Sequence, residues 1–266
     1  MMQSQKFILA GKAVKYTALA LALALVVSGC KSTKRSSIST NGGKSLVQLS
    51  SAELGSVLSD LDQRYAKSPK NRSIALSYGV ALRLSGRTDQ SVAVLRNVAI
   101  AHPKDRTIQS EFGKSLAAAG QLEQALRVIR QTQTAERPDW KLLSAEGAIL
   151  DQLGRHQQSR SLYLLALQVS KGEPSVLNNF GMSFILTNDL TQAENYLRQA
   201  AQHPRAGSRV RQNLALVLGL QGKFSEAERI ATMELSPQEA KANMVYLRNM
   251  LAQRDNWNKL KNKKSS

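Results

Sequence analysis

Cysteine is nearly absent from this 266-residue chain, which carries only Cys30. One thiol closes no internal disulfide, and it excludes a zinc site built from several cysteines of the chain. Aromatic residues are scarce at 5%, while Ala and Leu are abundant. That balance favours stacked helices with small residues at close contacts over a β-sandwich. Acid is scarce too: 19 Asp and Glu stand against 37 Lys and Arg, for a formal net charge of +18 and a pI near 10.3. Such a chain is drawn to anionic surfaces, but its charge says nothing about fold. His102, His156 and His203 pair neither with one another nor with Cys30 at metal-ligand spacing, so no metal is expected. No Gly-rich phosphate loop occurs, since Gly219-Leu220-Gln221-Gly222 lacks the Lys-Ser/Thr such a loop needs. A G-x-S-x-G elbow is missing as well, and acid pairs such as Glu226 with Glu228 read as solvated helix surface. The expectation is a protein without a cofactor and without catalytic activity.

Long apolar runs are also wanting. The one candidate, Tyr16 to Val27, has 12 residues, short of the roughly 20 that span a membrane. Lys6, Lys12 and Lys15 precede it, so residues 1–29 read as a secretory signal rather than part of the fold. The run leads into Val27-Ser28-Gly29-Cys30. This tetrapeptide resembles the lipobox of bacterial lipoproteins: a branched apolar residue, a small residue, Gly or Ala, then Cys. The resemblance implies cleavage before Cys30, a diacylglycerol on its thiol and acylation of the new amine. Lys31 follows, and it lacks the Asp that signals inner-membrane retention in enteric-type lipoproteins. The implied location is the periplasmic face of the outer membrane. Residues 30–50 hold Lys31, Lys34, Arg35 and Lys44, no acid, and many Ser, Thr and Gly. They read as a flexible linker with a mean reach of roughly 25 Å.

A fixed period governs the remainder. Gly79, Gly113, Gly147 and Gly181 recur every 34 residues, with Ala215 next. A second register holds Gly86, Gly120, Gly154, Asn188 and Gly222. Apolar columns share the interval: Ile74, Ile108, Leu142, Val176 and Val210, then Leu82, Leu116, Leu150, Phe184 and Leu218. Leu95, Ile129, Tyr163 and Leu197 form another, and Ser91, Ala125, Ser159, Ala193 and Ala227 a column of small residues. Each column has a physical reason. The second register ends a helix where the backbone needs positive φ. The first register, facing the small column, lets two helices approach closely. This pattern resembles the tetratricopeptide repeat (TPR), a helix-turn-helix unit, and implies an all-α TPR solenoid with capping helices. Five units are expected at 72–105, 106–139, 140–173, 174–207 and 208–235. Residues 51–71 supply an N-terminal cap, with Leu54, Val57, Leu58, Leu61 and Tyr65 as its stripe. Ser236-Pro237-Gln238-Glu239 is a capping box opening a C-terminal cap over 236–255, and 256–266 is expected to be a basic, disordered tail. Unit 3 departs from the pattern at Glu146. Unit 5 departs at Ala215, Ala231 and Glu234, so its second helix is expected to be short or loosely packed.

The charge does not point to nucleic acid. Residues 1–29 hold +3, residues 30–50 hold +4 and residues 254–266 hold +4, which leaves +7 for the array itself. The excess sits at the ends, without interleaved aromatics. A solenoid binds peptides or partner domains along the concave face lined by first helices, where spacing places Arg83, Lys114, Asp151, Asn178, Arg209 and Gln212. A local polar cluster is expected from Asn178, Asn179, Arg209, Gln212 and Asn213.

Two C-terminal runs carry a narrower resemblance: EPSVLNNFGMSFILTNDLTQAENYLRQAA at 173–201 and RVRQNLALVLGLQGKFSEAERIA at 209–231. With the closing NMVYLRNMLAQRDNW at 243–257, they are similar to the TadD family, the TPR lipoproteins of tight-adherence (Flp) pilus assembly. The order of lipobox, linker, TPR array and C-terminal helix agrees. The resemblance implies a non-enzymatic periplasmic scaffold whose partner is the outer-membrane secretin or another pilus-assembly protein. It supplies no site residues. The alternative is a different TPR lipoprotein scaffold: a type IV pilotin, an outer-membrane biogenesis factor or an adaptor for peptidoglycan hydrolases.

Overall fold

A computed structural model describes Leu46, residues 49–134, Glu136 and residues 138–263. The signal segment, Cys30 and nearly all of the linker lie outside the described residues. The described chain is all α, in twelve helices without a strand. They divide between two compact units, one ending at Val169 and one starting at Ser170.

The first unit holds α1 (Ser51–Lys67), α2 (Arg72–Leu84), α3 (Thr88–Ala101), α4 (Arg106–Ala118), α5 (Leu122–Thr132), α6 (Trp140–Gln152) and α7 (His156–Ser170), whose last residue falls beyond the boundary. The second holds α8 (Pro174–Leu186), α9 (Leu190–Gln202), α10 (Ser208–Leu220), α11 (Phe224–Ala231) and α12 (Pro237–Lys263). First helices of the repeats therefore start at Arg72, Arg106, Trp140, Pro174 and Ser208, 34 residues apart.

The hairpins close because small residues face large ones. Ser91, Ala125, Ser159, Ala193 and Ala227 are all fully buried. Across each of the first four hairpins a glycine meets a large side chain. A Cβ at Gly79 would lie 2.5 Å from Leu95 Cγ, at Gly113 2.7 Å from Ile129 Cδ1, and at Gly147 2.9 Å from Tyr163 Cε1. At Gly181 it would lie 2.8 Å from Leu197 Cγ and 3.1 Å from the Ala193 carbonyl. No real side chain packs at the shortest of these distances, so glycine here sets the helix separation.

Each first helix stops in the same way. The amides of Arg87, Gln121, Arg155, Asp189 and Lys223 donate to the carbonyls of Leu82, Leu116, Leu150, Phe184 and Leu218, at 2.8–3.0 Å. That six-to-one bond is the Schellman arrangement, and it requires a left-handed residue at the turn. Gly86, Gly120, Gly154 and Gly222 supply it with φ of 74° to 80°, and Asn188 does so at 61°. Four of the five residues whose carbonyls accept these bonds are also core: Leu82, Leu116, Leu150 and Leu218 are 0–1% exposed. Burying one leucine is worth about 1.5–3 kcal/mol, so the same residue closes the turn and fills the core.

First helices open on a side-chain cap in the first unit. Asn71 accepts from the amides of Ser73 and Ile74, Asp105 from Thr107 and Ile108, and Asp139 from Lys141. Asp105 also accepts from Arg72 Nε at 2.6 Å, tying the start of α2 to the start of α4. In the second unit Glu173 and Gly207 occupy those places without a side-chain cap.

Both terminal helices begin with a reciprocal capping box. The Ser50 amide donates to Glu53 and the Glu53 amide to Ser50 Oγ. Ser236 and Glu239 repeat this at 3.0 and 3.3 Å. α12 docks through Ala240, Met244 and Leu247. Ala215, Ala231 and Ala240 form a small-residue contact beside the main core, and Gly219 leaves no room for a Cβ against Leu247. Short side chains in the fifth repeat thus admit α12 closely, while α11 has only 8 residues. One expectation is corrected: the segment from 256 to 263 is helical, because α12 runs unbroken to Lys263. Asn256 to Lys263 holds no Pro or Gly to stop it.

Candidate functional site

The residues singled out on the first helices fall into three groups. In the first unit, Arg83 on α2 and Lys114 on α4 meet on one carboxylate, Glu111. Arg83 Nη2 donates to Glu111 Oε2 at 2.7 Å, and Lys114 Nζ to Oε1 at 2.7 Å. All three side chains are largely buried, with exposures of 8%, 14% and 16% for Arg83, Lys114 and Glu111. Burial pushes the Glu111 carboxyl up. The ammonium of Lys114 and the guanidinium of Arg83 outweigh that and hold it at about 2. Arg83 and Lys114, expected on the concave face, are thus engaged in a charge cluster with Glu111.

Asp151 on α6 is buried, not solvated. It accepts from the Tyr163 hydroxyl at 3.2 Å and lies 2.9 Å from His156 Nδ1. Burial, and then the Asp151 charge, raise the Tyr163 hydroxyl well above its ordinary range. A neighbouring departure from the pattern has a similar origin. Glu146, 8% exposed, fills the place of Phe112 and Phe180 and accepts from Arg130 Nε at 2.6 Å.

In the second unit, the expected polar cluster on α8 and α10 is brought together in part. Asn213 Nδ2 donates to Asn178 Oδ1 at 2.8 Å, and Asn178 Nδ2 donates to Asn179 Oδ1 at 3.3 Å. Asn178 and Asn213 are buried, so their amides hold α8 against α10. Asn179 and Arg209 are half-buried. Gln212 is exposed and donates to Ser208 of its own helix at 3.2 Å. Of these five side chains only Gln212 is exposed, so the cluster is chiefly internal. Among the described residues no group of three or more His, Cys, Asp or Glu is arranged to hold a metal ion.

Sequence reasoning missed Glu111, Tyr163 and His156. Glu111 was detectable, three residues before Lys114 and in the repeat column of Asn179 and Asn213. The Tyr163 signal was subtler: its column is otherwise aliphatic, and its hydroxyl needs a buried acceptor, which Asp151 provides.

Paired helices repeated at this interval, with these turns and close contacts, make the fold an all-α TPR array, an architecture typical of protein-interaction scaffolds. The tetratricopeptide repeat family matches residues 113–131. A search of curated proteins finds no match. Solved structures agree on the fold. A TPR protein from Parabacteroides merdae aligns with a TM-score of 0.55 at 20% identity, over 76% of this chain and 81% of that one. A thermophilic TPR protein of Thermus thermophilus aligns with a TM-score of 0.56 at 14% identity, over 63% and 91%. The APC/C hetero-tetramer Cut9–Hcn1 aligns with a TM-score of 0.58 at 16% identity over 75% of this chain, which spans only 41% of that one.

Proposed function

We propose that this chain is a lipid-anchored, non-enzymatic scaffold on the periplasmic face of the outer membrane, serving assembly of the Flp pilus and acting on its secretin. The observation that carries the reading is a conjunction in the sequence. Val27-Ser28-Gly29-Cys30 stands ahead of a TPR array whose fifth repeat reads RVRQNLALVLGLQG, the run most like the TadD family. The fold supports it, because a TPR array is built to hold a protein partner. The second unit supports it further with exposed Gln212 and half-buried Asn179 and Arg209 on α8 and α10. Several acyl chains on Cys30 would make detachment negligible, since each buried methylene contributes about 0.8 kcal/mol.

Deletion of the gene should lower the amount of multimeric secretin and the number of surface pili. Normal multimers and normal adherence would refute the pilus assignment. The anchor is tested separately. Cys30→Ser should leave the precursor uncleaved and free of radiolabelled fatty acid, and labelling that persists would remove the lipoprotein claim.

A further inference from the structure

Every helix of the second unit except the last is tied to a neighbour by polar side chains. Asn213 of α10 donates to Asn178 of α8 at 2.8 Å. Arg198 of α9 donates to Glu226 of α11 at 2.8 Å. Gln221, just past α10, donates to the Leu190 carbonyl of α9 at 2.7 Å. α12 has no counterpart. Among the described residues, no hydrogen bond or ion pair joins a side chain of α12 to another helix. Its capping box, Ser236 with Glu239, is internal to its own first turn.

What holds α12 is a short apolar stripe. Ala240, Met244 and Leu247 are 0%, 7% and 6% exposed, and half-buried Leu251 continues them. Spacings of four and three residues keep these on one face. The Arg248 guanidinium lies 4.6 Å from the centre of the Phe224 ring. The floor beneath is made of short residues: Ala215 and Ala231 meet Ala240, and Gly219 meets Leu247. Methyl groups bury little area each, and no directional bond reinforces them.

The connection to α12 can turn at one place. Glu234 is held by Arg211 of α10, which fixes the chain up to that residue. Ser236 already belongs to the capping box of α12. Leu235 alone lies between the anchor and a helix that carries its own cap.

We propose that α12 is a lid over the end of the array. It swings away as one helix about Leu235 while α8 to α11 stay folded, and the open state bares the floor of Ala215, Gly219 and Ala231. This goes beyond the scaffold reading and does not rest on it, since neither the secretin nor acylation of Cys30 enters.

The test is amide hydrogen exchange on the full chain under native conditions, resolved by residue. Amides of residues 244–251 should share one opening equilibrium and exchange roughly ten-fold or more faster than those of residues 210–218 in α10. A second measurement reads the same opening through thiols. In a Cys30→Ser background, Ala240→Cys and Ala227→Cys each replace a fully buried alanine. The thiol at 240 should be modified roughly ten-fold or more faster than the one at 227, and with little dependence on dilute urea, because lid opening exposes less surface than unfolding of the unit. The exchange is read on the unsubstituted chain, so it stands even where Ala240→Cys loosens the helix by its own bulk. Exchange of α12 together with α10 would overturn the proposal and make α12 a fixed part of the core. Exchange that rises steadily from Met244 to Leu251 would also overturn it, since that is fraying from the free end.

Discussion

Glu111 shows how one carboxylate fixes the fate of residues that look exposed by spacing alone. It takes Lys114 from its own helix and Arg83 from the preceding first helix, and its folded value lies at about 2 against an ordinary 4.5. A depressed carboxyl contributes stability above its unfolded value, and that stability is lost as pH falls toward the folded value. The contribution should therefore be complete above about pH 5, decline from about pH 4.5 and be gone near pH 2. The shift corresponds to a magnitude on the order of 3 kcal/mol. Glu111→Gln strands two largely buried cations and should cost about 3 kcal/mol at pH 6. Urea unfolding across pH 6 to 3 checks this. The wild-type and Gln curves should converge as pH falls, and a constant gap would show that Glu111 acts through packing instead.

The turn closing the fourth first helix rests on Asn188, the asparagine in a column of glycines. Its φ of 61° is left-handed, a region Asn reaches at modest cost and other non-glycine residues at about 1–2 kcal/mol. Asn188→Ala should destabilise the protein by about 1 kcal/mol, whereas Asn188→Gly should be neutral or slightly stabilising; thermal melting of both variants checks this. If Ala were tolerated as well as Gly, the positive φ would not be what selects the residue. Such elements are legible in sequence because a backbone requirement admits few residue types, so period and turn residue point the same way. The close approach at the first glycine register was legible too, but its partner was not: the repeat pattern sets these glycines against the small column, whereas a Cβ there would meet the large residue sixteen positions on. The caps at Asn71, Asp105 and Asp139 follow the period too, but the column lapses at Glu173 and Gly207, which hides it. Side-chain pairing was not legible. Nothing in a 34-residue period tells that Arg83 ends on Glu111, or that Asp151 is covered by Tyr163, because those partners are fixed by rotamers, between successive first helices in one case and across a hairpin in the other. The reach of α12 to Lys263 was obscured by its basic composition.

For the whole molecule, the division at Ser170 has an energetic consequence. Each unit has a core of its own: residues from Leu46 to Leu150 in the first, and Ala193, Leu197, Leu214, Val217, Leu218, Ala227 and Met244 in the second. In arrays of repeats each unit contacts mainly its neighbours, so stability is a sum of local terms, and regions can open independently of the global transition. Two substitutions separate these terms. Gly181→Ala puts a methyl against Leu197 Cγ and the Ala193 carbonyl. The carbonyl is backbone and cannot swing away, so overpacking of about 1–3 kcal/mol exceeds the roughly 1 kcal/mol that Ala gains over Gly in a helix. Its strain lies in the second unit, whereas that of Glu111→Gln lies in the first. Native-state hydrogen exchange should then show Gly181→Ala loosening α8 to α11 while α2 to α5 keep their protection, with Glu111→Gln giving the opposite map. If either change loosened all the helices equally, the two cores would have to unfold as one cooperative body, and the boundary at Ser170 would be one of contact without being one of stability.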